Sequence, residues 1–83
     1  MVIVWDDAKR LTNLAKHGLD FADLTLEFFV KAASRSARNG RFLAVGRLNG
    51  NVIVAVVFVP LGREAISVIW MRPAGKKERS YAP

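Results

Sequence analysis

The stretch WDDAKRLTNLAKHGLDF, residues 5–21, organises the interpretation of the whole chain. Asp6 or Asp7 can begin a helix here, because a carboxylate accepts a hydrogen bond from an unpaired first-turn N–H group. Gly18 can end that helix, since glycine adopts the left-handed conformation that closes a helix. At about 100° per residue, one side of this helix is apolar and the other is polar. We expect the fold to bury Ala8, Leu11, Leu14 and Ala15 and to expose Lys9, Asn13 and Lys16, with His17 at the edge of the polar side.

The residues around this helix show patterns typical of further strands and helices. Residues 2–5 are apolar and rich in β-branched side chains, and they predict a strand before the helix. Residues 19–29 predict a second helix, with Asp20 as its N-cap and aromatic side chains packed on the core. Residues 31–40 fit either a continuation of that helix or a strand and loop, because their periodicity does not decide.

A hairpin is predicted in the middle of the chain. Residues 49–50 are Asn-Gly, the strongest short hairpin signal, and they separate strands over 41–48 and 51–59. The second of these strands is apolar on both faces, which predicts a central strand covered on both sides. Pro60 and Gly62 are expected to end it.

The last quarter of the chain predicts one more strand and a short helix. Residues 65–71 alternate as a strand does, and Pro73 can stop it and start a helix over 74–81. The predicted order is therefore β-α-α-β-β-β-α, an α+β fold with a small antiparallel sheet and helices packed on one face. We expect residues 1–83 to form a single domain.

The composition limits the classes of function. The chain has 83 residues, 52% of them hydrophobic, no cysteine and one histidine. A zinc or copper site is therefore improbable, and no cofactor is expected. No segment approaches the roughly 20 apolar residues that span a membrane. The first residues lack a basic region followed by an apolar run, so we expect no secretory signal. We expect a cytoplasmic protein.

The charge is unevenly distributed. The formal net charge is +6, with three Lys/Arg against five Asp/Glu in residues 1–30 and ten against two in residues 31–83. A basic surface of this kind attracts polyanions such as RNA through counterion release. The plain alternative is a solvated surface without a specific partner.

These residues, with their spacing, resemble the BrnT family. The chain matches the family's W-D-x-x-K-x-x-x-N-x-x-K-H-G-x-x-F opening at Trp5, Asp6, Lys9, Asn13, Lys16, His17, Gly18 and Phe21. Residues 41–46 resemble its R-x-x-x-[IV]-G strand, and residues 72–78 its R-x-A-x-x-x-E segment. Tyr81 lies close to the family's terminal tyrosine, whereas Trp70 replaces the usual serine. The resemblance implies a RelE-like endoribonuclease toxin of a type II toxin–antitoxin pair, which inhibits translation and growth.

The resemblance also implies a partner. A BrnA-type antitoxin with a ribbon-helix-helix domain is expected to neutralise the toxin and to bind operator DNA on behalf of the pair. The cationic second half of the chain favours a negatively charged partner, since opposite charges steer association. The residues expected to bind the antitoxin are Trp70, Arg72 and Tyr81. The RNA substrate is either free or associated with the ribosome.

RNA cleavage without a metal requires a base, an acid and cations that stabilise charge on the phosphorus. The candidate catalytic residues are His17, Lys16, Arg72 and Glu78. His17 can serve as base or acid, because an imidazole titrates near neutral pH. Arg72 can bind two phosphate oxygens at once. Glu78 can act as a base or orient an arginine. The candidate RNA-binding residues are Lys9, Asn13, Arg41, Arg47, Lys76, Lys77 and Arg79.

Each assignment has a simpler structural alternative. His17 can merely complement the negative end of the helix dipole. Arg41 and Glu78 can form a structural ion pair, and Lys9 and Lys16 can belong to a solvated face. The alternative function is an inactive RNA-binding or protein-binding module of the same fold. A DNA-binding repressor is not favoured, because the chain lacks a helix-turn-helix pattern.

Overall fold

Residues 1–50 and 52–83, which the computed structural model describes, contain five strands and three α-helices. The strands are β1 (Val2–Trp5), β2 (Ala33–Ser36), β3 (Phe42–Leu48), β4 (Val52–Leu61) and β5 (Ala65–Pro73). The helices are α1 (Asp7–His17), α2 (Leu26–Lys31) and α3 (Lys76–Arg79). The mixed α+β class is as predicted. None of the helices in these described ranges is long and apolar enough to cross a membrane.

The strands form one sheet in the spatial order β1-β5-β4-β3-β2. The predicted antiparallel sheet is wrong at one edge, because β1 runs parallel to β5; the other neighbouring strands are antiparallel. β2 is the strand that the predicted element order lacks, and it lies within residues 31–40, where periodicity did not decide. It pairs along one edge with β3, from Ala33 opposite Val45 to Ser36 opposite Phe42. Because most of its side chains are polar and exposed, the sequence has no alternation of apolar residues that would predict this strand.

The central hairpin agrees with the prediction. Asn49 and Gly50 both have positive φ, 53° and 80°, in the turn between β3 and β4. β4 lies between β3 and β5 and is buried on both faces. The predicted start of this strand at Asn51 lies outside the described residues.

The predicted end of β4 at Pro60 is wrong. The strand continues to Leu61, and Pro60 lies opposite Ile66 of β5. The last pair between β4 and β3 is Phe58 with Phe42. Beyond that point β4 no longer pairs with β3. The lack of an N–H group on Pro60 therefore costs no hydrogen bond on that side of the sheet.

α1 has the predicted ends but the opposite orientation. The Asp6 side chain accepts a hydrogen bond from the Ala8 N–H at 2.8 Å, and Gly18 closes the helix with a φ of 67°. Asn13, expected on the exposed side, is only 6% exposed, whereas Leu11 is 60% exposed. The prediction failed because hydrogen bonds and an ion pair, rather than apolar burial, attach this helix to the fold.

The predicted second helix is divided into two parts. Asp20 caps a single 3₁₀ turn over Phe21–Asp23, accepting a hydrogen bond from the Ala22 N–H at 2.9 Å. The chain is then extended at Thr25, whose hydroxyl caps α2 by accepting a hydrogen bond from the Phe28 N–H. The aromatic side chains nevertheless enter the core, as predicted.

Two apolar clusters cover the two faces of the sheet. The larger one unites the segment 21–28 with one face of β3, β4 and β5. The smaller one lies on the opposite face, where Ala74 and Ala82 flank α3 and pack against it. The prediction that all helices pack on one face is therefore wrong for the C-terminal segment. The last helix is also shorter than the predicted 74–81, since it begins after Gly75 and ends at Arg79.

Candidate active site

A groove between α1 and the end of β5 gathers most of the candidate catalytic residues. β1 pairs with β5 only as far as Trp5 opposite Val68, and beyond that point α1 packs along the strand. The groove has a volume of about 630 Å³. We call it the α1–β5 groove; it is lined by Ala8, Lys9, Thr12, Asn13, Lys16 and His17 of α1 and by Ile69, Trp70 and Arg72 of β5.

Asn13 joins the two walls of this groove. Its Oδ1 accepts a hydrogen bond from the backbone N–H of Met71 at 2.9 Å. Its Nδ2 donates to the carbonyl oxygen of Leu19 at 3.2 Å, just beyond the end of α1. Among the described residues it is the only buried polar side chain, and both halves of its amide are occupied. The candidate RNA ligand Asn13 is thus placed as a link between helix and strand.

A second contact fixes α1 against the chain that follows it. The Arg10 guanidinium donates two hydrogen bonds to the Asp20 carboxylate, at 2.7 and 2.8 Å. These bonds lower the pKa of Asp20 to about 2, with help from the Ala22 N–H. The sequence pattern did not reveal this pair, because the two residues lie in different predicted helices.

A β-bulge shapes the strand wall. Val57 of β4 lies opposite Trp70, and the next residue, Phe58, lies opposite Val68, so Ile69 is an extra residue in β5. In a regular strand, neighbouring side chains point to opposite faces. A bulge changes this direction locally, and bulges are common beside active sites. Ile69 and Trp70 consequently both line the groove.

Arg72 is held by Glu78, by Trp70 and by the carbonyl oxygen of Pro73, to which it donates a hydrogen bond at 3.2 Å. It donates two hydrogen bonds to the Glu78 carboxylate, at 2.6 and 2.7 Å. Its guanidinium carbon also lies 5.2 Å from the centroid of the Trp70 ring, a cation–π distance. The alternative of an Arg41–Glu78 ion pair is therefore wrong, since Glu78 pairs with Arg72 instead.

The environment of Glu78 decides between its two proposed roles. Hydrogen bonding to Arg72 lowers the pKa of Glu78, and partial burial opposes this shift; the Gly75 N–H contributes a further bond at 2.9 Å. A carboxylate with a lowered pKa and occupied oxygens is a poor general base. The geometry favours the role of orienting an arginine.

His17 and Lys16 occupy the last turn of α1, at one end of the groove. His17 is half-buried and Lys16 is exposed, and both line the groove together with Lys9 and Arg72. Three candidate catalytic residues thus share one cavity, and the fourth, Glu78, contacts it through Arg72.

The remaining candidates lie elsewhere. Arg41 is exposed before β3, and Arg47 donates a hydrogen bond to the Pro83 carbonyl oxygen at 3.3 Å beside a different groove. Tyr81, 46% exposed, has the Arg35 guanidinium 5.2 Å from its ring centroid, so it is separate from the groove-lining Trp70 and Arg72. The candidates exposed on α3 are Lys76, Lys77 and Arg79.

Sequence reasoning missed the apolar lining residue Ile69. Its alternation pattern is that of an ordinary strand residue, and the bulge that redirects it has no signal in the sequence. The described residues also include no group of three or more His, Cys, Asp or Glu side chains that could hold a metal ion.

Comparisons with known proteins identify the family and support the fold. Residues 5–78 match the family model described as the ribonuclease toxin BrnT of a type II toxin–antitoxin system. The fold is also similar to the crystal structure of the Brucella abortus ribonuclease toxin BrnT, with a TM-score of 0.87 and 54% sequence identity. That match covers 92% of this chain and 99% of the other. Comparison with curated proteins finds no match.

Proposed function

The chain belongs to the BrnT family of ribonuclease toxins from type II toxin–antitoxin systems, and from this membership we propose that it cleaves RNA in the α1–β5 groove without a metal ion. The observation that carries the proposal is the convergence of His17 and Lys16 of α1 with Arg72 of β5 on one cavity. A proton-transfer group and cations are what phosphodiester cleavage needs when no metal takes part.

The proposed reaction is attack by the ribose 2′ oxygen on the adjacent phosphorus. A bond forms between the 2′ oxygen and phosphorus, the bond to the 5′ oxygen breaks, and a 2′,3′-cyclic phosphate results. Two protons move: one leaves the 2′-OH and one arrives on the departing 5′ oxygen. His17 carries out one of these transfers, and a solvent water molecule carries out the other. Lys16 and Arg72 stabilise the negative charge that develops on the phosphoryl oxygens.

Glu78 acts in this scheme as a positioning residue. Its two hydrogen bonds hold the Arg72 guanidinium in one orientation, so little conformational freedom is lost when a phosphate arrives. The same pairing neutralises the charge of Arg72. Lys9 and Lys16 of α1 have no ion-pair partner among the described residues, and they therefore supply the positive charge for binding RNA.

We propose the further consequences by family analogy. Cleavage of RNA, free or on the ribosome, inhibits translation and growth in the cytoplasm. Type II toxins act with a protein antitoxin, and here it is a BrnA-type protein whose ribbon-helix-helix domain binds the operator. It covers Trp70 and Arg72 at the groove, with Tyr81 at a separate contact. The RelE-like assignment of the fold belongs to the same proposal.

The test is cleavage of bulk RNA by the purified protein in EDTA, with and without ribosomes. We expect cleavage that Lys9→Ala/Lys16→Ala reduces strongly. Lys76→Ala/Lys77→Ala removes the same charge from α3, outside the groove, and serves as the matched control. An equal loss of cleavage activity in the two variants would show that the groove is not the site of RNA cleavage. No cleavage under any condition would favour an inactive binding module.

A further inference from the structure

The α1–β5 groove has an apolar wall that phosphate binding does not use. The bulge in β5 places Ile69 and Trp70 side by side on this wall. The cations Lys9 and Lys16 lie on the helix wall of the same groove. The groove thus presents apolar and aromatic surface on one side and, on the other, positive charge that no carboxylate in residues 1–50 or 52–83 pairs with.

We propose that Ile69 and Trp70 form a nucleobase subsite, in which one base of single-stranded RNA packs while α1 binds its phosphate. A nucleotide joins a flat, largely apolar ring to an anion, which matches the two walls of the groove. Proteins that bind single strands combine a cationic groove with aromatic side chains in this way. The proposal rests on the proposed cleavage site and adds the part of the substrate that the site recognises.

The arrangement of Trp70 fits this role. The indole packs against the smaller apolar cluster and has the Arg72 guanidinium over its ring, while part of it remains open to the groove. These contacts immobilise the ring before a ligand arrives, so a base that packs against it loses less entropy on binding. A base in a duplex is stacked on its neighbours, so only an unpaired base can pack against this wall.

The groove is also of suitable size. Its volume of about 630 Å³ lies within the range of roughly 300–1,000 Å³ that small-molecule sites occupy. Asn13 fixes the distance between the two walls through its hydrogen bonds to Met71 and Leu19. The space between base wall and cation wall is therefore set by the fold.

The experiment compares two short single-stranded RNA oligomers whose 2′-hydroxyls are methylated to prevent cleavage. One carries all its bases, and the other has abasic riboses at the same length and charge. We expect the wild-type protein to bind the abasic oligomer about tenfold more weakly, since packing one base on an aromatic wall contributes that much or more. This comparison changes only the ligand and does not depend on the folding of a variant.

Ile69→Ser tests the wall itself. In this variant we expect the ratio of the affinities for the base-carrying and abasic oligomers to fall towards one, while the affinity for the abasic oligomer is unchanged. Leu61→Ser, the control, also replaces an aliphatic side chain by serine, but at an exposed strand residue outside the groove. It should keep the full preference for the base-carrying oligomer. Thermal unfolding of both variants checks that each is folded.

The outcomes separate this inference from the proposed function. Equal affinity of the wild-type protein for the two oligomers would overturn the subsite, and metal-free cleavage would still stand if RNA is cut in EDTA. A tenfold preference for bases that Ile69→Ser abolishes would support the subsite even if the protein failed to cleave. The same preference in the Ile69→Ser variant would place the base-binding surface elsewhere and refute the assignment.

Discussion

Replacing Asn13 by alanine tests the link that holds the groove together. In the variant, the Met71 N–H and the Leu19 carbonyl lose their side-chain partners. The bond to Met71 is buried, and a buried unsatisfied donor costs about 1–3 kcal/mol. The bond to Leu19 is only partly buried, so its loss costs about 0.5–1.5 kcal/mol.

The expected total is a loss of about 1.5–4.5 kcal/mol in the free energy of unfolding. For a chain of this size, that corresponds to a fall in Tm of about 10–25 °C. Urea denaturation and thermal unfolding measure both quantities. Thr12→Ala, at an exposed neighbour on the same helix, is the control and should change the unfolding free energy by less than about 0.5 kcal/mol.

Hydrogen exchange identifies the bond directly. We expect the Met71 amide to exchange faster in Asn13→Ala than in Thr12→Ala, because only the first substitution removes its acceptor. Below the Tm of the variant, RNA cleavage should also fall, since a shift of about 1 Å between catalytic groups can reduce a rate about 100-fold. An Asn13→Ala protein as stable as the Thr12→Ala control, with an equally protected Met71 amide, would refute this reasoning.

Two other predictions concern the ion pairs. Glu78→Gln should lower the cleavage rate constant while strengthening RNA binding, because Arg72 loses its one fixed orientation but regains its net charge. Glu64→Gln, at an exposed residue outside the groove, is the charge-matched control. Equal effects of the two substitutions would contradict the positioning role of Glu78. Asp20 has a pKa lowered from 3.8 to about 2, chiefly by Arg10, so its stabilising contribution is complete above about pH 4 and is lost as the pH falls towards 2. Asp20→Asn should flatten the unfolding free energy over that window, as measured by urea denaturation, and curves that stay parallel to the wild type would contradict the prediction.

Local sequence signals predicted the ends of elements better than the faces that those elements bury. The Asp6 cap, the Gly18 terminus and the Asn49 and Gly50 turn were all predicted, because each depends on a residue and its immediate neighbours. β4 was predicted as a central strand because its apolar residues occupy both faces. These features need no knowledge of distant parts of the chain.

The orientation of α1 was not predictable in this way. Its amphipathic pattern favours burying Leu11, but the structure buries Asn13, whose Oδ1 accepts a hydrogen bond from the N–H of Met71, 58 positions away. Hydrogen-bond partners across such a separation leave no periodic signal. The bulge at Ile69 and the pairing of Glu78 with Arg72 also depend on neighbouring elements.

The site residues show the same division. His17, Lys16 and Arg72 were proposed together as catalytic residues, and all three line the α1–β5 groove. The cations exposed on α3 were grouped with them on charge alone, yet they lie outside the groove. Composition therefore predicted a basic protein but did not say which basic residues share a site.

The distribution of charge separates attraction of RNA from its chemistry. Ten cationic residues follow residue 30. Within the described part of the chain, Arg72 is the only one of these ten that lines the α1–β5 groove, and it is already paired with Glu78. The unpaired groove cations, Lys9 and Lys16, come instead from residues 1–30, whose net charge is −2. Charges outside the groove raise the local concentration of a polyanion and are screened over about 10 Å in 0.1 M salt. In the proposed function, the basic surface therefore governs encounter with RNA, and α1, which supplies His17, governs its cleavage in the groove.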